Sequence, residues 1–339
     1  MRTSLILSVA TAFLSSCLIQ RTDAQQLCNG YAALCSKTYD QVTYATTHNA
    51  YSYTPKAALA LNQNNDISTQ LGDGIRALML DAYKANTTNE IELCHTSCSL
   101  LDAGPLSRTL GQIKAFLEAN PNEVITILWE NSEGLSPAQF QTVYAAAGVS
   151  DYLYTQPTGS TAWPTLADMI SSGKRLVNFI ASGGGDNSVA WLMSEYDYVF
   201  ETPYQIKRGA EYLCTVDRPK DERKQMYVLN HFVSESFTAS GQTIDIPQPG
   251  AAATTNGPEL VTHVNTCLST FSQNPTFITV DFYEKGTILE TTAQLNGVTW
   301  NGKAATQPKP SGAASAMSNV NAKVVGMVAL ATALGLLTL

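Results

Sequence analysis

The stretch "VITILWEN", residues 124–131, is apolar over most of its length and closes on two polar residues, Glu130 and Asn131. It has the length of a strand but not the alternation of a half-buried one, so both of its faces are expected to be covered. Helical patterns stand on either side. In "PLSRTLGQIKAFLEANP" (105–121), Leu106, Leu110, Ile113 and Leu117 fall on one face, and Asn120-Pro121 ends the pattern. In "SPAQFQTVYAAAG" (136–148), Ser136 is the expected N-cap, Pro137 sits in the first turn and Gly148 at the stop. A strand buried on both faces between two helices is the unit of a parallel sheet.

Seven further runs share that character: residues 42–46, 75–83, 91–95, 175–182, 198–204, 226–232 and 277–283. Eight strands with interleaved helices predict an α/β fold, a single-domain (β/α)8 barrel of the TIM type over residues 25–300. The barrel is expected to be irregular between the second and third runs, where residues 84–90 are too few for a crossover helix.

The two ends read as processing signals. "MRTSLILSVATAFLSSCLIQRTDA" (1–24) has a basic start, an apolar stretch from Leu5 to Leu18 and small residues before Ala24, which is the order of a secretory signal peptide. Its apolar stretch is shorter than the ~20 residues a spanning helix needs. Residues 301–312 form a stalk of low complexity. From 313 to 339, small residues, a polar spacer and the apolar run Val324–Leu339 follow the order of a removed GPI-attachment signal. A true terminal membrane helix is the alternative, disfavoured because no basic flank follows the run. The chain is therefore expected to be secreted and GPI-anchored at the cell surface or cell wall, as a monomer.

The formal net charge is −8, and no basic cluster interrupts it. That balance argues against a nucleic-acid partner and against electrostatic attraction to anionic lipid. Once the leader takes Cys17 with it, Cys28, Cys35, Cys94, Cys98, Cys214 and Cys267 remain. An even set in an exported chain predicts three disulfides. Sequence leaves the pairing open; the local pairs 28 with 35 and 94 with 98, leaving 214 with 267, are the expected set. A zinc site on "CHTSC" is the less favoured reading in an oxidising compartment. The sequon Asn86-Thr87-Thr88 is consistent with export.

Barrels of this type carry their chemistry at the C-terminal ends of the strands. The polar residues there are His48, Asp81, His95, Glu130, Asn230 and Asp281. One such residue alone is usually a turn or cap; two histidines with three acids at one mouth point to acid–base work. Asn49, Asp81 and Glu130 offer oxygen ligands suited to Ca2+. His231 is expected to pack or cap. "SGGGDNS" (182–188) lacks the Lys-Ser/Thr of a phosphate-binding loop and reads as a rim loop. Tyr283, Tyr204 and Trp129 could line a sugar ring or simply fill the core; Asn230 and Tyr283 stand as substrate-binding candidates.

Together, "TTHNAYSY" (46–53), "GIRALMLDAY" (74–83), "ELCHTS" (92–97), "NEVITILWEN" (122–131) and "NPTFITVDFY" (274–283) resemble the X-domain of phosphatidylinositol-specific phospholipase C and the PLC-like phosphodiesterases. The similarity runs from about Cys28 to Lys285. "GKRLVNFIASGGG" followed by "YDYVFETPY" resembles secreted or anchored fungal members. The resemblance implies that a phosphatidylinositol-type lipid is cleaved to diacylglycerol and a cyclic inositol phosphate. It makes His48 the general base on the inositol 2-hydroxyl, His95 the general acid for the leaving oxygen, and Asp281 the partner that orients His48. It also implies one of two ways to offset the phosphate charge: an arginine at the position of Asp81, or Ca2+ on four ligands. This chain has Asn49, Asp81 and Glu130 of the calcium set, but Met79 stands where the fourth ligand belongs. The expected cofactor is therefore Ca2+ at a weakened site, and the expected partner a phospholipid head group at a membrane surface. Two alternatives remain open: glycerophosphodiester hydrolysis, opposed by Met79-Leu80-Asp81 where those barrels show a Glu-Asp pair, and a non-catalytic barrel holding a cell-wall glycan. Glu130 with Asp281 could also be miscast as a glycosidase pair.

Overall fold

The computed structural model describes residues 26–54, 60–85, 90–185, 187–204, 206–239 and 242–302. The expected leader, the sequon, most of the expected stalk and the expected terminal anchor signal lie outside the described residues.

In chain order the elements are β1 (Tyr44–Thr47), α1 (Ile67–Asp73), β2 (Ala77–Lys84), β3 (Ile91–Cys94), β4 (Asp102–Pro105) and α2 (Leu106–Ala119). Next come β5 (Ile125–Glu130), α3 (Pro137–Ala147), α4 (Leu166–Ser171), β6 (Leu176–Ile180), β7 (Leu192–Ser194), α5 (Glu195–Tyr198) and β8 (Val199–Glu201). The chain ends with β9 (Met226–Asn230), the hairpin β10 (Ser234–Ala239) and β11 (Gln242–Pro247), then α6 (Ala252–Thr254), α7 (Leu260–Phe271), β12 (Phe277–Val280) and α8 (Ile288–Leu295). Both expected helices beside the quoted strand are present. Helix α2 stops at Ala119, one residue before Asn120-Pro121, and α3 opens on Ser136, whose N–H donates to the Gln139 side chain at 2.9 Å.

Eight strands form one curled parallel sheet in the spatial order β7-β6-β5-β2-β1-β12-β9-β8. The end strands β7 and β8 do not pair with each other among the described residues, so the barrel is open on that side. Alternation along each strand sorts side chains into two buried sets. Leu128 and Met79 face the barrel interior with Tyr44, Phe179 and Phe277. Ile127, Trp129 and Leu80 face outward, against Leu110, Ile113, Phe140 and Val143 of α2 and α3. Burial of each such side chain contributes about 2 kcal/mol, and apolar residues on both faces explain the absence of polar alternation.

The third run, residues 91–95, is not a barrel strand. Strand β2 runs past its last pairing with β5, Asp81 beside Glu130, and there meets β3 antiparallel, Ala82 opposite Leu93 and Lys84 opposite Ile91. The place counted for it belongs to β7, a three-residue strand too short to stand out in the sequence. The excursion has a geometric consequence. β2 and β3 run antiparallel, so the chain returns toward the sheet along β3, and the register that sets Leu93 opposite Ala82 brings His95, next after β3, back to about the level of Asp81.

The three expected disulfides, Cys28–Cys35, Cys94–Cys98 and Cys214–Cys267, are all formed. The second excludes the zinc reading of "CHTSC", since both sulfurs are used.

Candidate active site

His48 follows β1 and is held by its backbone: its N–H donates to the Val280 carbonyl at 3.0 Å, and its carbonyl accepts from Gln63 Nε2 at 2.8 Å. The ring lies flat on Phe232, with centroids 3.7 Å apart and planes 7° off parallel. Its Nδ1 is 2.9 Å from Asp281 Oδ1. A carboxylate only accepts, so Nδ1 carries the proton and the neutral ring keeps its lone pair on Nε2. Asn62 Nδ2 donates to the same Asp281 oxygen at 2.9 Å. Its 3.3 Å approach to His48 Nδ1 is then a contact between two donors and not a second bond.

His95 is fixed by a different partner. Its Nδ1–H donates to the Ala60 carbonyl at 2.6 Å, which again leaves Nε2 as the atom for chemistry. Burial pushes the His95 imidazole below the usual histidine range, against the upward pull of the Ala60 hydrogen bond, and the nearby His48 lowers it further. The two histidines are thus close enough for the charge on one to bear on the other. The Tyr51 hydroxyl donates to the carbonyl of Cys94, the residue before His95, at 2.8 Å.

Asp81 and Glu130 are register partners on adjacent strands, in phase with the inward-facing Met79 and Leu128. Burial pushes the Asp81 carboxyl up to about 7; His48 opposes the shift and the Glu130 carboxylate adds to it. Glu130 Oε1 accepts from Arg218 Nη2 at 2.8 Å, and the same nitrogen donates to Glu201 Oε2 at 2.8 Å. Asn49 adopts a positive φ of 44°, which asparagine tolerates better than most residues. Its Nδ2 donates to Asn62 Oδ1 at 3.4 Å, while Oδ1 is buried without a hydrogen-bond partner among the described residues. Of the three oxygen donors named for Ca2+, then, Asn49 offers a free oxygen and Asp81 a carboxyl poised between its two forms. Glu130 is committed to a guanidinium, and Met79 is packed in the apolar interior. An ion that takes six to eight oxygens is not well matched by this set.

Two substrate-binding expectations are corrected. Asn230 has no exposed surface: its amide donates to Glu201 Oε2 and to the Thr202 carbonyl, both at 2.9 Å. Tyr283 is also buried, its hydroxyl donating to Asp73 Oδ2 at 2.5 Å and accepting from Asn65. Asn230, the last residue of β9, is in phase with the inward-facing Met226 and Val228, and Tyr283 lies three residues past β12 in the outer apolar layer. The aromatic wall likewise dissolves, because Trp129 packs outward on Phe140 and Tyr204 lies under Arg218. His231 is packed, as expected, bonded to His263 and to the Thr255 carbonyl. Sequence reading missed Asn62, Gln63, Phe232 and Arg218. The first two sit in "LNQNN" and Arg218 in "VDRPKDERK", polar runs that look like solvated loops; nothing local marks them as buried or facing inward.

The sequence model of the PI-PLC X family matches residues 34–296. A protein of the fungus Arthroderma benhamiae called "Uncharacterized secreted protein" is 33% identical over 81% of this chain, and the chain spans 65% of its length. A second from that fungus, "PI-PLC X domain-containing protein 1", is 33% identical over 80% of the chain and 90% of its own length. Among solved structures, phosphatidylinositol-specific phospholipase C from Listeria monocytogenes superposes with a TM-score of 0.51 at 19% identity, covering 77% of this chain and 94% of that one. At that identity the likeness is one of fold.

Proposed function

The chain belongs to the PI-PLC X family, and on that premise we propose that it is a phosphodiesterase that cleaves a phosphatidylinositol-type lipid by paired acid–base catalysis. The observation that carries this reading is the matched orientation of two histidines. His48 and His95 each have Nδ1 engaged by a fixed acceptor and Nε2 left for chemistry, at one mouth of one barrel. In the proposed reaction His48 Nε2 takes the proton from the inositol 2-hydroxyl as its oxygen bonds to phosphorus. The bond from phosphorus to the diacylglycerol oxygen breaks, and His95 Nε2–H delivers a proton to that oxygen. Asp281 keeps His48 in the tautomer that can accept and stabilises the imidazolium that forms. The products are a 1,2-cyclic inositol phosphate and diacylglycerol.

We further propose that the protein acts outside the cell. Three disulfides and the likeness to a fungal relative called secreted support export. Among the described residues no helix is long and apolar enough to cross a membrane. A GPI anchor at the cell surface or wall is the proposed means of retention.

The test is incubation of the secreted protein with phosphatidylinositol vesicles, with phosphorus products followed by NMR beside His48→Ala. A cyclic phosphate signal that disappears with His48 is the expected result. Silence from folded protein under all conditions would remove the reading and favour a barrel that only binds.

A further inference from the structure

The mouth of this barrel holds a cation that belongs to the chain. Arg218 lies in the segment between β8 and β9, and that segment pairs antiparallel with the free edge of β8: Glu201 N–H donates to the Arg218 carbonyl at 2.7 Å and Asp217 N–H to the Glu201 carbonyl at 2.9 Å. The side chain then crosses inward. Its Nη2 donates to Glu130 on β5 and to Glu201 on β8, and its guanidinium lies 4.4 Å from the Tyr204 ring centroid. It remains 26% exposed, and among the described residues Nη1 makes no hydrogen bond and Nε is buried without a partner. Two strand ends, a backbone pairing and an aromatic face therefore hold one guanidinium in a single place, beside Asp81 and Glu130.

We propose that Arg218 supplies the positive charge that meets the substrate phosphate, and that binding at this mouth needs no Ca2+. The inference rests on the reading of the mouth as a phosphodiester site and deepens it. Three observations carry it. Glu130 is the one carboxylate shared by the guanidinium and the expected ion, and two cations on one carboxylate repel each other at short range. A planar guanidinium with donors to spare matches the geometry of phosphate oxygens. Met79 removes the remaining acidic ligand, a loss that a Ca2+ site suffers and an arginine site does not.

The experiment is calorimetric binding of myo-inositol 1-phosphate to the secreted protein in EGTA, repeated with millimolar Ca2+, for wild type, Arg218→Met and Arg218→Lys. Circular dichroism and melting serve as the check of folding. The expected result is binding in EGTA that Ca2+ does not tighten, at least tenfold weaker in Arg218→Met and intermediate in Arg218→Lys. A tie that only braces the open barrel would lower the melting temperature and leave the affinity of the folded protein unchanged, which would overturn the proposal. Binding that appears only with Ca2+, or no binding at all, would overturn it too. If Arg218→Met does not fold, the wild-type Ca2+ comparison and Arg218→Lys still decide. Because the readout is binding, the two readings fail separately. Arginine-dependent binding without lipid cleavage would sink the enzyme and keep Arg218; lipid cleavage with Arg218→Met binding normally would do the reverse.

Discussion

His48 Nδ1 and Asp281 Oδ1 lie 2.9 Å apart, although 233 residues of chain separate them. The contact exists because β1 and β12 are neighbours in the sheet, with Thr47 beside Val280. Each strand delivers its next polar residue to the same point. Asp281→Asn keeps the shape but can donate to Nδ1, which favours the wrong tautomer. We expect kcat/KM on phosphatidylinositol to fall by about a hundredfold or more with little change in melting temperature. A fall in activity accompanied by a comparably large fall in melting temperature would make the contact structural.

In the proposed reaction His95, as the acid, sets the pH dependence. Burial holds its pKa below the ordinary histidine value and so favours the neutral ring in the free protein. As the acid it must be protonated, and the protonated fraction shrinks as pH rises. We expect kcat/KM to decline with rising pH from an acidic optimum, and His95→Gln to remove that limb while leaving binding of inositol phosphate nearly intact. A flat profile between pH 5 and 8 would exclude the role.

The Cys94–Cys98 bridge closes the loop that carries His95, whose N–H is bonded to the Leu101 carbonyl at 3.0 Å. The loop closed is short, so its contribution to global stability is modest; its contribution to placing His95 Nε2 is larger. Cys98→Ser is expected to lower activity more than it lowers secreted, folded yield. Equal losses in the two would show a purely structural bridge.

Asp81 is held in a place that disfavours its charge. With its carboxyl pushed up to about 7, the folded state resists ionisation that the unfolded chain undergoes near 3.8. The sign is therefore destabilising as pH rises: nothing is lost below about 3.8, and the full penalty applies above about 7. Asp81→Asn removes the penalty. It should raise stability at pH 8 by roughly 2–4 kcal/mol and at pH 5 by less, measured by urea unfolding. A gain that is the same at both pH values would show that burial of the charge is not its source.

Much of the molecule was legible in the chain itself. Runs such as "VITILWEN" and "FITVDFY", without polar alternation, require cover on both faces, and the helices between them supply it; from that the curled parallel sheet follows. The same local logic exposed His48, His95, Asp81, Glu130 and Asp281, because each closes an apolar run. The two histidine partners divide instructively. Asp281 could be named because it ends a strand, but Ala60, which fixes His95 through a carbonyl, has no side-chain chemistry to read.

What only the tertiary structure decided are the relations that depend on which strand lies beside which. The run at 91–95 has the composition of a barrel strand, yet its hydrogen bonds go antiparallel to the overhang of β2, since the six residues between β2 and β3 cannot cross over a sheet face. Asn230 ends β9 and Tyr283 follows β12 by three residues, close in sequence to candidate site residues, but they are turned toward Glu201 and Asp73, where a buried polar group must find a partner. Arg218 sits in a charged run that composition assigns to solvent. The open edge of β8 and two distant carboxylates bring it inward, and no window of sequence contains all three.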